Sequence, residues 1–407
     1  MSLITGRVIF ISNLGSHSWG GSEELWSRTA LNLASEGFLV IASVFGSSPL
    51  HPKIERLKAG GIKLSPRPNK LSYWQRARRK IDPRHRHPAL VSLEKLINGT
   101  RPGLVVHSSC LLFPAVEQLE LCISKEIPFV TIGHAASDEW WMDDAEAKLM
   151  RAALPKALRC YFVSEATRRA AEKQLGRNFA NAEVVRNPFN VSYHAAPPWP
   201  SLDREEELRF ACIGRLHPPS KGLDILFEAL ALPSWRERRW RLTLYGEGPM
   251  RDMLEHLARL LGIAERIEFA GLVADIEQVW AANHVLIMPS RYEGLPLAMV
   301  EAMLCARPVV ATDVAGHAEV VEDGVTGFLA DAPTVRSVAG ALERFWARRH
   351  EAEQIGEAAA RRIRQLVPPD PAKVFAEKLK MLVKSLEVFP STAADGPAAA
   401  REIGRTE

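Results

Sequence analysis

The chain has 407 residues, of which 47% are hydrophobic and 25% are charged, and its formal net charge is +4. This length accommodates two domains of ordinary size, and the composition is typical of a soluble globular protein. The small net charge gives no support to nucleic acid as a partner, and no apolar run approaches the roughly 18 residues that span a bilayer.

The cysteines and the first residues indicate a cellular compartment. Five cysteines are scattered without a Cys-x-x-Cys pair, at positions 110, 122, 160, 212 and 305. This pattern favours buried, reduced thiols over a disulfide framework or a zinc site. The first seven residues have no signal-peptide pattern. We therefore expect a cytoplasmic protein, with peripheral contact at the inner face of the membrane as an open alternative.

In the first half of the chain, short apolar runs alternate with longer amphipathic segments. A prominent helix is predicted at 22–36. Strands are predicted at residues 8–12, 39–44, 104–107, 129–132, 160–163 and 183–185. Buried strands separated by helices indicate βαβ units and a parallel sheet.

A glycine-rich loop, Trp19-Gly20-Gly21-Ser22-Glu23, follows the first predicted strand. It is not the dinucleotide fingerprint, which needs Gly-x-Gly-x-x-Gly. Gly20 and Gly21 would let the backbone approach the phosphates of a ligand across a cleft. A plain helix entry capped by Ser22 is a compatible alternative.

His134 directly follows the predicted strand at 129–132. The carboxyl ends of parallel strands face the ligand cleft in doubly wound folds. His134 is therefore a candidate to hydrogen-bond a hydroxyl of a donor or an acceptor, although a lone histidine is more often structural.

Two segments have unusual compositions. Residues 67–87 are strongly basic and contain two aromatic residues. They could contact an anionic membrane surface or a charged acceptor, or form a solvated helix and loop. Residues 137–144 combine Trp140 and Trp141 with acidic side chains, which fits an acceptor loop that binds sugars as well as it fits a packed loop.

The join between two domains is visible at 190–207, where three prolines precede an acidic run. Beyond it, strands are predicted at 210–213, 242–245, 267–270, 285–288 and 309–311, and helices at 223–230, 250–261, 276–282, 296–305 and 335–348. We therefore predict an α/β protein of two doubly wound, Rossmann-like domains that face a central cleft.

The expected domain boundaries follow from these patterns. Residues 1–190 form the N-terminal domain, 191–207 the linker and 208–367 the C-terminal domain. Apolar residues at helical spacing predict a further helix at 368–389 that packs back on the N-terminal domain. Residues 390–407 have the composition of a disordered tail.

The loop after the strand at 210–213 contains Gly214, Arg215 and Lys221. Glycine allows close backbone approach, arginine supplies a planar fork and lysine a point charge. Two cations six residues apart could straddle a diphosphate. A basic surface loop is the alternative.

Glu293 and Glu301 lie eight positions apart after the strand at 285–288. If the whole segment were helical, they would lie about 12 Å apart along the axis, beyond the ~5–9.5 Å that glycosidase carboxylates use. The spacing favours two anchors for one ligand, with Glu293 in the loop and Glu301 a few turns into the helix. An ordinary helix start with two solvated acids is the alternative.

Between these glutamates, Gly294, Leu295 and Pro296 open the predicted helix. Proline is preorganised for the first helical position, and the free N–H groups and helix dipole there favour phosphate oxygens. We expect Glu293 to hold a sugar, the helix start a diphosphate and Glu301 a ribose.

Metal chemistry has no support in the sequence. The twelve histidines have no metal-ligand spacing, and no Asp-x-Asp triplet follows a strand. We therefore expect no metal site and a metal-independent mechanism.

The joint order of these motifs matches one family. The chain resembles the retaining glycosyltransferases of family 4 (glycosyl transferases group 1), which have the GT-B fold, over nearly its whole length. Further landmarks of that family lie at 164–167, 186–188, 246–249 and 324–329. Two departures are mild: Pro188 follows Asn187 where glycine is common, and 316–319 reads Gly-His-Ala-Glu where Gly-Gly-x-Pro-Glu is frequent.

The resemblance implies roles for particular residues. Arg215 and Lys221 would bind the donor diphosphate, Glu293 and Glu301 would contact the transferred sugar and the ribose, and His134 would lie near the donor sugar. The N-terminal domain would take the acceptor and the C-terminal domain the nucleotide sugar.

The implied reaction moves a sugar from a nucleotide-diphosphate sugar, with a UDP- or GDP-sugar expected, to an acceptor hydroxyl with retention of anomeric configuration. A carbohydrate, a lipid-linked glycan or a small molecule would be the acceptor, in a polysaccharide pathway, and no cofactor is implied. A nucleotide-sugar epimerase and a non-catalytic sugar-nucleotide-binding protein are the alternatives. A nicotinamide dehydrogenase is disfavoured because the dinucleotide fingerprint is missing.

Overall fold

The computed structural model describes residues 4–14, 19–46, 51–68, 87–200 and 207–388. The predicted tail at 390–407 lies outside these residues, as do 69–86 of the basic segment and 201–206 of the linker.

A parallel sheet forms the centre of the N-terminal domain. Its strands are β1 Ile4–Ser12, β2 Leu39–Phe45, β3 Lys63–Arg67, β4 Pro102–Ser109, β5 Phe129–Gly133, β6 Arg159–Phe162 and β7 Ala182–Val184. They lie in the order β3-β2-β1-β4-β5-β6-β7, and every pairing is parallel. The helices of this domain are α1 Ser22–Ser35, α2 Pro52–Ala59, α3 Pro88–Thr100, α4 Val116–Ser124, α5 Asp144–Ala153 and α6 Glu165–Leu175.

The C-terminal domain repeats this plan with a second parallel sheet. Its strands are β8 Leu208–Ile213, β9 Trp240–Tyr245, β10 Ile267–Gly271, β11 Val285–Met288, β12 Val309–Thr312 and β13 Gly327–Ala330. Their order is β10-β9-β8-β11-β12-β13. The helices are α7 Pro218–Lys221, α8 Leu223–Leu230, α9 Pro233–Arg236, α10 Arg251–Leu260, α11 Ile276–Ala282, α12 Leu297–Leu304, α13 His317–Val320, α14 Val335–Ala347 and α15 Ala352–Leu366.

Both sheets have a topological switch point beside their first strand. In one sheet β2 and β4 flank β1, and in the other β9 and β11 flank β8. Chain connections leave in opposite directions there, which opens a crevice at the carboxyl ends of the strands. Three of the four loops that carry candidate site residues follow β1, β8 and β11, beside these switch points, and the fourth follows β5. The topology itself therefore positions most of the site.

The strands form because their apolar runs are buried on both faces. Every residue of β4, β5, β11 and β12 is buried, as expected for parallel strands covered by helices. Separate apolar clusters fill the space above and below each sheet.

A last helix, α16 Pro371–Val388, returns to the N-terminal domain. Its Phe375 and Leu379 are buried with the core of that domain, and the Phe375 ring lies edge-on to Tyr161 at 4.9 Å between centroids. The Thr29 hydroxyl of α1 also donates to the Ala372 carbonyl at 3.2 Å. The chain therefore crosses between the domains twice.

The structure corrects the sequence predictions at two strands. Each predicted strand overlaps an observed one, but the sequence did not indicate β3 or β13. Strand β3 is a polar edge strand that contains Pro66, a residue that sheets tolerate at their edges. Strand β13 is short, with three apolar residues after Gly327.

Arg67 is also placed differently from the prediction of a solvated helix and loop at 67–87. It ends β3 and is buried, and its guanidinium donates to the Ser12 carbonyl and lies 4.5 Å from the centroid of the Phe45 ring. Among the described helices, none is both long enough and apolar enough to cross a membrane.

Candidate active site

A cleft of about 620 Å³ lies between the carboxyl ends of the two sheets, within the usual range for small-molecule sites. It is lined by all eleven residues that the sequence singled out as catalytic or ligand-binding: Gly20, Gly21, His134, Gly214, Arg215, Lys221, Glu293, Gly294, Leu295, Pro296 and Glu301. Residues from two domains and from four separate loops thus meet in one cavity.

The glycine loop of the N-terminal domain approaches the C-terminal domain closely. A Cβ at Gly21 would lie 3.2 Å from Leu297 Cδ1 in the first turn of α12. The predicted cap by Ser22 is wrong, because Gly21 is the N-cap residue and no side chain caps this helix. In the first turn, the Glu23 and Glu24 N–H groups instead donate to the Gly20 and Gly21 carbonyls, at 3.0 and 3.2 Å.

His134 follows β5 and is 5% exposed. Its backbone N–H donates to the Leu111 carbonyl at 3.0 Å, and its Nε2 lies 3.4 Å from Ser108 Oγ. Nδ1 has no hydrogen-bond partner among the described residues. Burial lowers the pKa of the ring to about 3, so the imidazole is neutral near pH 7.

Arg215 and Lys221 lie on the C-terminal wall of the cleft. Arg215 precedes the short helix α7, and Lys221 is the last residue of that helix. Burial lowers the pKa of the half-buried Arg215 guanidinium, which nevertheless stays charged near neutral pH. Gly222 follows with φ of 61°, and a Cβ there would lie 1.9 Å from the Pro289 carbonyl oxygen. The turn that aims Lys221 therefore requires glycine.

Glu293 is paired with Lys221. Its Oε1 accepts from Lys221 Nζ and from Ser290 Oγ, the latter at 2.9 Å. With an exposed fraction of 9%, Glu293 is not a solvated acid. The cation expected at the diphosphate and the acid expected at the sugar thus contact each other directly.

The backbone around Glu293 joins the two domains. Its carbonyl accepts from the Ala136 N–H at 2.9 Å in an isolated antiparallel bridge. A Cβ on Gly294 would lie 2.2 Å from the His134 carbonyl oxygen. The loop after β5 and the loop after β11 are therefore in backbone contact.

Helix α12 begins one residue later than predicted. Pro296 has the extended conformation of an N-cap (φ −71°, ψ 138°) and Leu297 is the first helical residue. Glu301 therefore lies little more than one turn into the helix, not a few turns. Leu297 and Ala298 line the cleft, so the free N–H groups of the first turn belong to its wall.

Glu301 accepts hydrogen bonds from Asn190, which lies where the chain crosses between the domains. Its Oε1 accepts from the backbone N–H and the side-chain Nδ2 of Asn190, both at 2.8 Å. Glu301 is 3% exposed, and burial raises its pKa against these two bonds. The alternative of two solvated acids is therefore wrong for both glutamates.

Several cleft residues had no signal in the sequence. They are Glu24, Cys110, Asn190, Tyr245 and Leu272. Glu24 carries a network of its own, accepting from Trp19 Nε1 at 2.8 Å and from Arg28 Nε at 3.0 Å. The position of Glu24 directly after the glycine loop could have indicated that it lies in the cleft. The other four residues reach the cleft only because loops distant in the sequence come together.

No group of three or more metal-ligating side chains occurs within the described residues. All five cysteines lie in the described ranges and are free thiols, four of them buried and Cys110 half-buried in the cleft wall.

The two halves of the chain match two family models. Residues 19–193 match the family described as Glycosyltransferase Family 4, and residues 207–348 match Glycosyl transferases group 1. The two models together match most of the chain, and its two parallel, Rossmann-like sheets around one cleft form a GT-B fold.

Individual proteins with similar sequences are also glycosyltransferases. The alpha-D-kanosaminyltransferase of Streptomyces kanamyceticus is 32% identical over 150 residues, which are 36% of this chain and 39% of that protein. An uncharacterized glycosyltransferase of Haemophilus influenzae is 24% identical over 343 residues, covering 82% of this chain and 88% of the relative. The first of these matches therefore spans well under half of the relative's length.

Among solved structures, Anabaena Alr3699/HepE in complex with UDP superposes with a TM-score of 0.70. The superposition covers 93% of this chain and all of the other, at 21% sequence identity. At this identity the likeness establishes the fold.

Proposed function

We propose that this chain is a retaining glycosyltransferase that moves a sugar from a nucleotide-diphosphate sugar to an acceptor hydroxyl. One observation carries the proposal: a single cleft combines two cations, a free helix start, two buried carboxylates and a neutral histidine. The complex of the structural neighbour Alr3699/HepE with UDP, and another with UDP-glucose, support a UDP-sugar donor, with a GDP-sugar as the alternative.

Arg215 and Lys221 would bind the diphosphate together with the first-turn N–H groups of α12. Negative charge builds on the leaving diphosphate oxygen in the transition state, and donors already aimed at that position stabilise it without reorganisation. The contact of Lys221 with Glu293 supports such preorganisation, because it fixes the ammonium in the cleft before the donor arrives.

The carboxylates and the histidine would position the sugars. Glu301 would accept from ribose hydroxyls, and Glu293 from hydroxyls of the transferred sugar. His134 would lie near the donor sugar, and its low pKa keeps it a neutral hydrogen-bonding group rather than a cation. The leaving phosphate would take the acceptor proton, which is consistent with retention without a covalent enzyme intermediate.

The acceptor class follows from resemblance only at a coarse level. A carbohydrate, a lipid-linked glycan or a small molecule in polysaccharide biosynthesis would fit relatives such as the Vi polysaccharide biosynthesis protein VipC/TviE of Salmonella typhi. Peripheral membrane contact through 67–87, in a cytoplasmic protein, stays a prediction because 69–86 lie outside the described residues.

The experiment is a thermal-shift panel of UDP- and GDP-sugars, followed by assays of nucleotide release with and without acceptors. Ligand that binds the native state raises the apparent stability. Arg215→Ala and Lys221→Ala should each lower transfer by roughly 10²–10³-fold. Arg251→Ala, which removes an exposed cation of α10 outside the cleft, should leave transfer unchanged.

The alternatives give different results. An epimerase would interconvert the nucleotide sugar without an acceptor, and a non-catalytic binding protein would be stabilised by the donor without releasing nucleotide. If the Arg215 or Lys221 variant transferred sugar at the wild-type rate, that residue would not be one that binds the donor diphosphate.

A second expectation concerns metals. The positive charge at the diphosphate would come from Arg215, Lys221 and the α12 N-terminus, so transfer should persist in excess EDTA. Loss of transfer in EDTA that is restored by Mg²⁺ or Mn²⁺ would contradict metal independence.

A further inference from the structure

The loop between β5 and α5 displays two adjacent indoles to solvent. Trp140 is 38% exposed and Trp141 is 54% exposed. Tryptophan is highly buried on average, and clustered exposed apolar side chains commonly mark binding surfaces. The fold and the proposed donor site leave these two side chains without a role.

The loop is held in place by its own contacts, so the exposure of the indoles is built into the fold. Trp141 Nε1 donates to the Asp138 carbonyl at 2.9 Å, and Gln174 Nε2 of α6 donates to the Ser137 carbonyl at 3.2 Å. Asp143 caps α5 by accepting from the Glu146 N–H at 2.8 Å. Met142 packs against the domain core between the indoles and this cap.

The Trp140 indole lies in the wall of the active-site cleft, and Trp141 follows it in the same loop. Trp140 lines the cleft together with His134 and Glu293, and its ring centroid is 4.3 Å from that of Tyr292, which precedes Glu293. Leu111, also in the cleft wall, is 43% exposed. An apolar rim therefore borders the position where the proposed function puts the transferred sugar.

The charges of the loop restrict the ligand. Four exposed acids surround the indoles, at positions 138, 139, 143 and 144. Lys173 pairs with Asp138 at 3.0 Å and lies 6.0 Å from the Trp141 ring centroid. The remaining carboxylates can accept from hydroxyl or ammonium groups, and they would repel phosphate, sulfate and uronate groups.

We propose that Trp140 and Trp141 form a platform for a terminal pyranose of the acceptor, and that this acceptor end is an uncharged or amino sugar. A pyranose ring has an apolar C–H face that packs on a flat aromatic ring, while its hydroxyl edge turns to nearby carboxylates. This proposal rests on the proposed function and specifies its acceptor.

The test is binding of the labelled full-length protein to an array of neutral, amino-sugar and uronate- or sulfate-bearing glycans. Wild-type protein should bind neutral or amino-sugar glycans. Trp140→Ala and Trp141→Ala should each weaken that binding at least tenfold, whereas Trp141→Phe retains a flat ring and should keep most of it. Leu260→Ala, which removes an exposed apolar side chain of α10 outside the cleft, is the control and should bind as wild type.

UDP-induced thermal stabilisation, measured on the same variants, separates this proposal from the proposed function. If UDP stabilises the proteins but the tryptophan variants bind glycans like wild type, the platform is wrong and the donor site stands. If UDP and UDP- and GDP-sugars give no stabilisation, the proposed function fails, whatever the array gives.

Two other outcomes would overturn the platform. One is wild-type binding to none of the glycans, or to the anionic glycans alone. The other is sedimentation with phosphatidylglycerol vesicles that Trp141→Ala abolishes, which would assign the indoles to a lipid surface.

Discussion

At the scale of single residues, the most unusual acid outside the proposed chemistry is Glu23, which is buried just behind the glycine loop. Its Oε2 accepts from Ser12 Oγ at 2.7 Å. Burial raises its pKa from 4.5 to about 7, against the hydrogen bond from Ser12 and the charge of Arg67. The adjacent Glu24 has the opposite shift: burial raises its pKa, but the bonds from Lys53 and Trp19 outweigh this and lower it.

We predict that Glu23 makes the protein less stable as the pH rises. A carboxyl with a raised pKa contributes stability that is complete below pH 4.5 and is lost as the pH passes 7. The shift corresponds to roughly 3 kcal/mol. Glu23→Gln should abolish this loss, so the variant should gain stability over wild type between pH 4.5 and 7.5 in denaturant titrations.

Glu24→Gln is the matched control, since its carboxylate is stabilised by Lys53. That variant should lose stability relative to wild type near neutral pH and recover in acid. An identical pH profile for wild type and Glu23→Gln would contradict a buried, neutral carboxyl.

At the scale of elements, the close contact between the loop after β5 and the loop after β11 joins the two domains at the cleft. It depends on Gly294, where a side chain would meet the His134 carbonyl oxygen at 2.2 Å and Val163 Cγ2 at 2.8 Å. The sequence marked Gly294 as part of a helix start. The structure shows a second reason for glycine at this position: its backbone packs against the other domain.

We predict that Gly294→Ala destabilises the folded protein by about 1–3 kcal/mol, because backbone atoms must shift to admit the methyl group. It should lower the melting temperature and weaken UDP-sugar binding. Gly340→Ala in α14 has open space around the new methyl group and should instead raise stability by about 0.5–1 kcal/mol. A Gly294→Ala protein with wild-type melting and binding would contradict the close contact.

At the scale of the whole molecule, a second contact holds the two domains together. Glu319 of α13 accepts from the Ala166 N–H at 2.6 Å and from Arg186 Nη1 at 3.1 Å. The first of these lies at the N-terminus of α6, where the helix dipole favours an anion. Ala166 and Arg186 both belong to the N-terminal domain, so the Glu319 carboxylate of the C-terminal domain links the two domains.

We predict that Glu319→Ala moves the two domains apart in the absence of donor. Arg186 and the N-terminus of α6 both lose the carboxylate of the other domain that they contact. The radius of gyration from small-angle scattering should rise, and amide exchange should quicken at 134–136 and 293–297.

Glu343→Ala is the control for this prediction, since Glu343 pairs with Arg238 inside the C-terminal domain. It should change neither the scattering nor the exchange in the cleft. Equal behaviour of the two variants would mean that Glu319 does not stabilise the closed arrangement.

Sequence alone determined the architecture and most of the proposed site. Apolar runs at strand and helix spacing gave two parallel α/β domains, because buried parallel strands need continuous apolar side chains. Gly214, Arg215, Glu293 and His134 were identified because each follows a strand, and strand ends meet at one edge of a sheet. Polar strands such as β3 gave no such pattern.

Tertiary structure alone decided the contacts between distant segments. The contact of Lys221 with Glu293, the hold of Asn190 on Glu301 and the burial of Arg67 join positions 55 to 111 residues apart. Local spacing carries no information about such pairs, because they depend on how the fold brings together loops and strands that are far apart in the chain.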